Sequence, residues 1–168
     1  MTTHGWQSLT LMMFRQVRAG LAAALAEAGD PGLDRRPGED GNTVGWLVWH
    51  VLRGQDRNLS EVAGVRQLWL TGWAERFGRP ADPADTGYGH SRAEADAFAS
   101  PGGARLLEAY ADAVHAMVEA YLAGAPDADL ARVAPSPTLG GADTVERRLA
   151  GQLQDSFAHL GQIASARA

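Results

Sequence analysis

Apolar residues along this chain recur at three- and four-residue spacing in four blocks, with turn-rich polar segments between them. In the first block, about 5 to 29, Trp6, Leu9, Met13, Val17, Leu21 and Leu25 share one helical face. Gly29-Asp30-Pro31-Gly32 stops that helix. A second helix opens at a cap on Asn42 or Thr43 and runs to about Ala63-Gly64. Its first half is apolar nearly all round, so it should lie deep. The third, about 103 to 124, carries Leu107, Tyr110, Val114, Met117 and Tyr121 on one face. The fourth opens at Asp143 or Thr144 and runs to about Ala166. No segment alternates as a strand would. The pattern predicts an all-α four-helix bundle forming one domain over residues 1–168, with a long crossover between the second and third helices.

That crossover, about 65 to 102, is the least regular stretch. It contains Gly72-Trp73-Ala74-Glu75-Arg76-Phe77-Gly78, then Gly87-Tyr88-Gly89-His90, then Ser91 as the cap of a short helical turn reaching Ala99. A connection of this length inside a compact domain is usually functional or mobile. Trp69, Trp73 and Phe77 either fold back onto the bundle or form the surface of a homodimer.

Two of the helices carry polar lines that a plain core stripe would not. The line through His50 collects Thr43, Trp46, Leu47, Gly54, Arg57 and Glu61. The line through Asp155 collects Arg148, Gly151, Gln152, Ala158, His159 and Gln162. Asp155 and His159, four apart, project from one face a single turn apart. With His50 from the second helix they offer two imidazoles and a carboxylate, a donor set that leaves positions on a divalent metal open. Each element also has a plainer reading: His50 as a hydrogen-bonded core residue, Asp155 and His159 as an i,i+4 surface pair. His4 and His115 have weaker claims.

Composition narrows the chemistry. The net charge of -5 argues against a general nucleic-acid binder, and no apolar run approaches the roughly 20 residues that span a bilayer. The N-terminus lacks the basic start and apolar core of a signal peptide, so a cytoplasmic protein is expected. The chain has no Cys, so any metal is held by N and O donors and any sulfur chemistry uses a thiol from outside. All 15 basic residues are Arg, as a GC-rich coding sequence tends to give.

Asn42-x-x-Gly45-Trp46-Leu47-x-Trp49-His50, Gly72-Trp73-Ala74-Glu75-Arg76-Phe77-Gly78 and Asp155-x-x-x-His159-x-Gly161-Gln162 together resemble the DinB-like superfamily, in element order and motif spacing over essentially the whole chain. The resemblance implies a four-helix bundle with a long second crossover. It also implies a divalent metal, zinc favoured over nickel, iron or manganese, on His50, Asp155 and His159. The middle ligand in the family is commonly His or Glu, and Asp is one methylene shorter. The branch it points to is the thiol S-transferases, in which a small thiol attacks an electrophile in detoxification. The GC-rich composition favours mycothiol over bacillithiol or glutathione. Trp46, Arg57, Tyr88 and His90 are the candidate substrate-binding residues. Arg57 would meet an anionic or sugar-bearing substrate, or else pair with Glu61 on its own helix. Tyr88 and His90 would roof the pocket, or else anchor the crossover. Two other readings stand beside this one. A thiol-dependent cis-trans isomerase of the maleylpyruvate type ranks lower, because such relatives often carry a further C-terminal domain and this sequence ends soon after the fourth helix. The other is a non-catalytic metal-binding stress protein.

Overall fold

A computed structural model describes residues 5–166. Four long helices form the bundle: α1 (Trp6–Gly32), α2 (Val44–Ala63), α5 (Gly103–Gly124) and α6 (Val145–Ser165). Two short helices, α3 (Trp73–Arg76) and α4 (Arg92–Asp96), lie in the crossover, and 3-10 turns occupy Leu68–Thr71 and Asp127–Ala131. Both α1 and α2 pack on α5 and on α6. The second helix therefore shares a seam with the fourth, and that seam is where the candidate ligands meet.

Local chemistry explains the helix ends. Thr43 caps α2 by accepting from the Trp46 N–H, and Gly64 closes it in the left-handed conformation. Thr144 caps α6 through the Arg147 N–H. Ser91 and Glu94 form a reciprocal capping box on α4. The expected stop of α1 at Gly29 is a break rather than an end: Gly29 alone is non-helical (φ 54°, ψ −171°), and one more turn follows through Gly32. That turn presents Asp30, whose carboxylate accepts from the Ala104 N–H (2.7 Å) and so caps α5 from another element. Gly103 has positive φ (61°), and a Cβ there would collide with the same carboxylate.

The absence of strands predicted from the pattern needs correction. Val133–Pro135 and Ala142–Thr144 pair antiparallel, with Ala134 opposite Asp143, as a small hairpin leading into α6. Three-residue strands are too short to leave a readable alternation. The architecture remains an all-α bundle. No helix among the described residues is long and apolar enough to cross a membrane.

In α2 only Arg57, Glu61 and Ala63 escape full burial. Its interior charged groups, Arg53 and Asp56, are accordingly paired. Asp56, fully buried, accepts from the backbone N–H groups of Leu68 and Trp69 (both 2.8 Å), from the Tyr110 hydroxyl (2.7 Å), from Ser60 and from Arg53 (3.1 Å). Arg53, also fully buried, reaches into the crossover and donates to Gln67 Oε1, the Pro83 carbonyl and the Asp85 carbonyl (2.9 Å). This network folds the crossover back on the bundle. Trp69 and Phe77 are buried, and Trp73, partly exposed, lies against Tyr110. Of the two placements open to these aromatics, the structure shows packing onto the bundle.

Replacing Asp56 by Ala strips Arg53 of its counter-charge in a dry interior and orphans two backbone donors. Breaking such a buried pair costs about 3–5 kcal/mol. Urea denaturation of Asp56→Ala should show a loss of that order, and a loss below about 1 kcal/mol contradicts the role given to the pair.

Candidate metal centre

His50 enters the α2–α6 seam from the middle of α2 and is 7% exposed. Its Nδ1 lies 2.5 Å from the Thr86 carbonyl oxygen. A carbonyl can only accept, so Nδ1 carries the proton and Nε2 is left with its lone pair. Nε2 is 4.0 Å from Asp155 Oδ1. On α6, His159 repeats the arrangement: Nδ1 donates to Gln162 Oε1 (2.8 Å) and Nε2 is 3.4 Å from the same Asp155 oxygen. The rings of His50 and His159 meet edge to face at 4.7 Å.

The three ligand atoms lie within 4.8 Å of one another. A tetrahedral ion with bonds near 2.0–2.2 Å asks for about 3.3 Å between donors, so the set fits after a small contraction. The orientation matters as much as the spacing, since a ligating imidazole is typically held by an acceptor on its other nitrogen. Both imidazoles here have one. The residues present fit a divalent ion with N and O preference, and the missing thiolates argue only against the softest metals.

Charge follows position. Burial pushes the His50 imidazole below its ordinary value, more strongly than the Thr86 carbonyl raises it. For His159 the Asp155 carboxylate dominates and holds the imidazole above its ordinary value, with burial opposing. Burial pushes Asp155 up, but His159, His50 and Arg57 together outweigh it and keep the carboxyl below its ordinary range.

The crossover presses closely on the site. Trp46 stacks on His50 (4.8 Å between rings, 9° apart) from behind. Gly87, with φ 84°, lies against both rings; a Cβ there would come within 2.7 Å of Trp46 and 3.1 Å of His50 Nδ1. Next to His50 and Asp155, which border it, opens a cavity of about 360 Å³ also lined by Arg57, Tyr88, Arg147 and Arg148, among others. Of the candidate substrate-binding residues, Arg57 and Tyr88 border it, Tyr88 at an exposed edge (82%). Trp46 and His90 do not. The Trp46 indole N–H donates to His90 Nδ1 (3.4 Å), and His90 Nε2 faces Asp85 (3.4 Å), in a cluster behind His50. Gly54, on the same line as His50, also borders the cavity, and a Cβ there would come within 3.1 Å of the Gln152 side chain. His115 sits beside Glu119 at the solvent edge, and His4 lies outside the described residues.

Sequence reasoning assigned no orienting role to the two groups that hold the imidazoles, although Gln162 was on the polar line through Asp155 and in the motif. The Thr86 carbonyl belongs to the backbone and has no residue signature. Gln162 does have one, three residues after His159 and thus on the same helical face. Also missed was the loop of the hairpin, where Ser136 and Thr138 take hold of Glu61.

A helical bundle with an imidazole from its second helix and a carboxylate–imidazole pair from its fourth defines a class of proteins with a metal-competent centre between helices. The chain belongs to the DinB superfamily, whose family model matches residues 13–163. Among solved structures it is similar to one described as the conserved protein of locus from Enterococcus faecalis. The two are 24% identical, with 98% of this chain and 96% of that one covered and a TM-score of 0.84. That likeness speaks for the fold. No curated protein matches the sequence significantly.

The opposite shifts of the two imidazoles have a sign that can be checked. The stabilisation from His159 is fully present below the unfolded imidazole pKa and lost as pH rises through its folded value. That from neutral His50 is present above the unfolded pKa and lost as pH falls through its folded value. Ring-proton NMR of metal-free protein should show His159 titrating above and His50 below about 6.5. The reverse order, or coincident titrations, contradicts the geometry.

Proposed function

We propose that this protein is a metal-dependent thiol S-transferase, with a low-molecular-weight thiol, mycothiol in the first instance, as cosubstrate. The observation that carries the reading is the paired orientation of His50 and His159. Each imidazole is pinned at Nδ1 by an acceptor, so that both Nε2 atoms converge on one oxygen of Asp155 beside an open cavity. Two purely structural histidines from different helices do not need both Nε2 atoms directed at one carboxylate oxygen.

His50, Asp155 and His159 would hold the ion, zinc favoured. Bound there, a divalent ion supplies Lewis acidity, which brings a protic ligand such as a thiol to its deprotonated form near neutral pH. The chain's own residues do the rest. Asp155 stays ionised and offsets part of the cation's charge. Trp46 and Gly87 hold the His50 ring in place from behind, so the donor set is preorganised rather than assembled on binding. Tyr88 and Leu139, both exposed, border the cavity. The thiol must come from that cavity, because the protein has no Cys.

Support for transfer over isomerisation or simple metal storage comes from the resemblance in motif and from the cavity beside the ligands. The test is direct. Purified protein is supplied with each divalent metal in turn, a fluorogenic electrophile, and mycothiol, bacillithiol or glutathione. Turnover should be metal-dependent, select one thiol, and fall by at least about 100-fold in His159→Ala, as expected when a ligand of a catalytic metal is lost. Metal bound at one ion per chain with no turnover above background for any thiol would leave the metal centre standing and remove the transferase.

A further inference from the structure

The cavity beside the candidate centre is lined by three guanidinium groups, and their states differ. Arg148 is fully engaged: it pairs with Glu61 (2.6 Å) and donates to Asn58 Oδ1 (2.7 Å) and the Pro135 carbonyl (2.7 Å). Arg147 pairs with Asp143 (3.2 Å) at the surface. Among the described residues Arg57 has no carboxylate in ion-pair contact; its one hydrogen bond there is a long one to the Thr138 hydroxyl (3.4 Å), and its Nε is buried with no acceptor. The carboxylate one turn away, Glu61, is already saturated by Arg148, by the hydroxyls of Ser136 and Thr138 (2.9 and 2.5 Å), and by the Thr138 N–H (3.3 Å).

A guanidinium has five donors. Half-burying one with a single weak bond and no carboxylate in ion-pair contact leaves most of those donors to be met from the cavity, since Glu61 and Asp155 act on it only from a distance. Burial accordingly pushes the Arg57 pKa down, against the pull of Glu61. We infer that Arg57 is the anchor for a carboxylate carried by a small molecule in this cavity, on the reading above the electrophilic substrate rather than the thiol. One unpaired positive charge matches a monoanion, and the planar fork of the side chain matches the two oxygens of a carboxylate. A phosphate dianion would call for a second cation in the buried part of the cavity, and there Arg148 is committed to Glu61, while Arg147 lies at the exposed surface.

The position of Arg57 sets the shape of that ligand. It stands two turns along α2 from His50, on the same polar line and on the order of 10 Å further along the axis. The carboxylate is therefore remote from the reacting atom, several bonds away, and its role is to position the other end at His50, Asp155 and His159. This last clause rests on the metal-centre reading; the anion contact itself does not.

The experiment separates the two. Hexanoate, its neutral isostere hexanamide, and inorganic phosphate are titrated into metal-free protein and followed by ligand-observed NMR. Wild type should bind hexanoate about tenfold or more tighter than hexanamide, the size of one charge-assisted bidentate contact. Arg57→Gln should lose that preference, Arg57→Lys should keep only part of it, and His159→Ala should keep all of it while losing metal. The unfolding temperature of Arg57→Gln should be unchanged or higher, because an unpaired charge has been removed, whereas a structural role for Arg57 predicts a fall. Equal binding of hexanoate and hexanamide by wild type, or retention of the preference in Arg57→Gln, overturns the anchor even if metal binding is intact. Preference for phosphate over hexanoate overturns the carboxylate class.

Discussion

The Arg53–Asp56 pair in the middle of α2 is the interaction on which the site depends. Two opposite charges with no exposure are stable only if their remaining donors and acceptors are filled, and here the crossover fills them. Asp56 collects the N–H groups at Leu68 and Trp69, which fixes where the crossover begins. Arg53 holds the Asp85 carbonyl, which fixes where it passes His50. The next residue, Thr86, then presents its carbonyl to His50 Nδ1, and Gly87 lies flat against the ring. An electrostatic need in the core is thus satisfied by the same segment that orients the imidazole. The site inherits its precision from the fold's least negotiable contact.

Bundle topology supplies the other half. Because α2 packs on α6 as well as on α5, a histidine from the second helix meets a carboxylate–histidine pair from the fourth. The fourth helix contributes two donors one turn apart and its own orienting group in Gln162. The α2 face toward this seam is where that otherwise buried helix carries its partly exposed charges, Arg57 and Glu61. Those two do not pair with each other. Glu61 is drawn off by Arg148 from α6 and by the hairpin loop, which leaves Arg57 to the cavity.

The helices were readable because their signals are local: periodic burial, Thr43, Ser91 and Thr144 as caps, and Gly64 as a stop. The triad was readable because a four-residue spacing on a helix is itself geometric, and the motif resemblance supplied the partner from α2. What could not be read was everything that depends on the crossover's path. Trp46 and His90 looked like pocket residues from their neighbours in sequence, yet they pair behind His50, since the pocket lies on its other side. The Thr86 carbonyl leaves no trace in residue identity. The Arg57–Glu61 spacing satisfied the i,i+4 rule, and a competing guanidinium from a distant helix prevailed. Long-range competition of this kind is invisible to any window along the chain.

The central claim is that His50, Asp155 and His159 form one metal centre held by two imidazoles and a carboxylate. X-ray absorption of the zinc-loaded protein reads this most directly. The account predicts a first shell of N and O donors only, at about 2.0–2.2 Å, with the scattering signature of two imidazoles. It predicts that His50→Ala reduces the signature to one. Zinc bound through a single imidazole in the wild type, or a shell unchanged in His50→Ala, would contradict it.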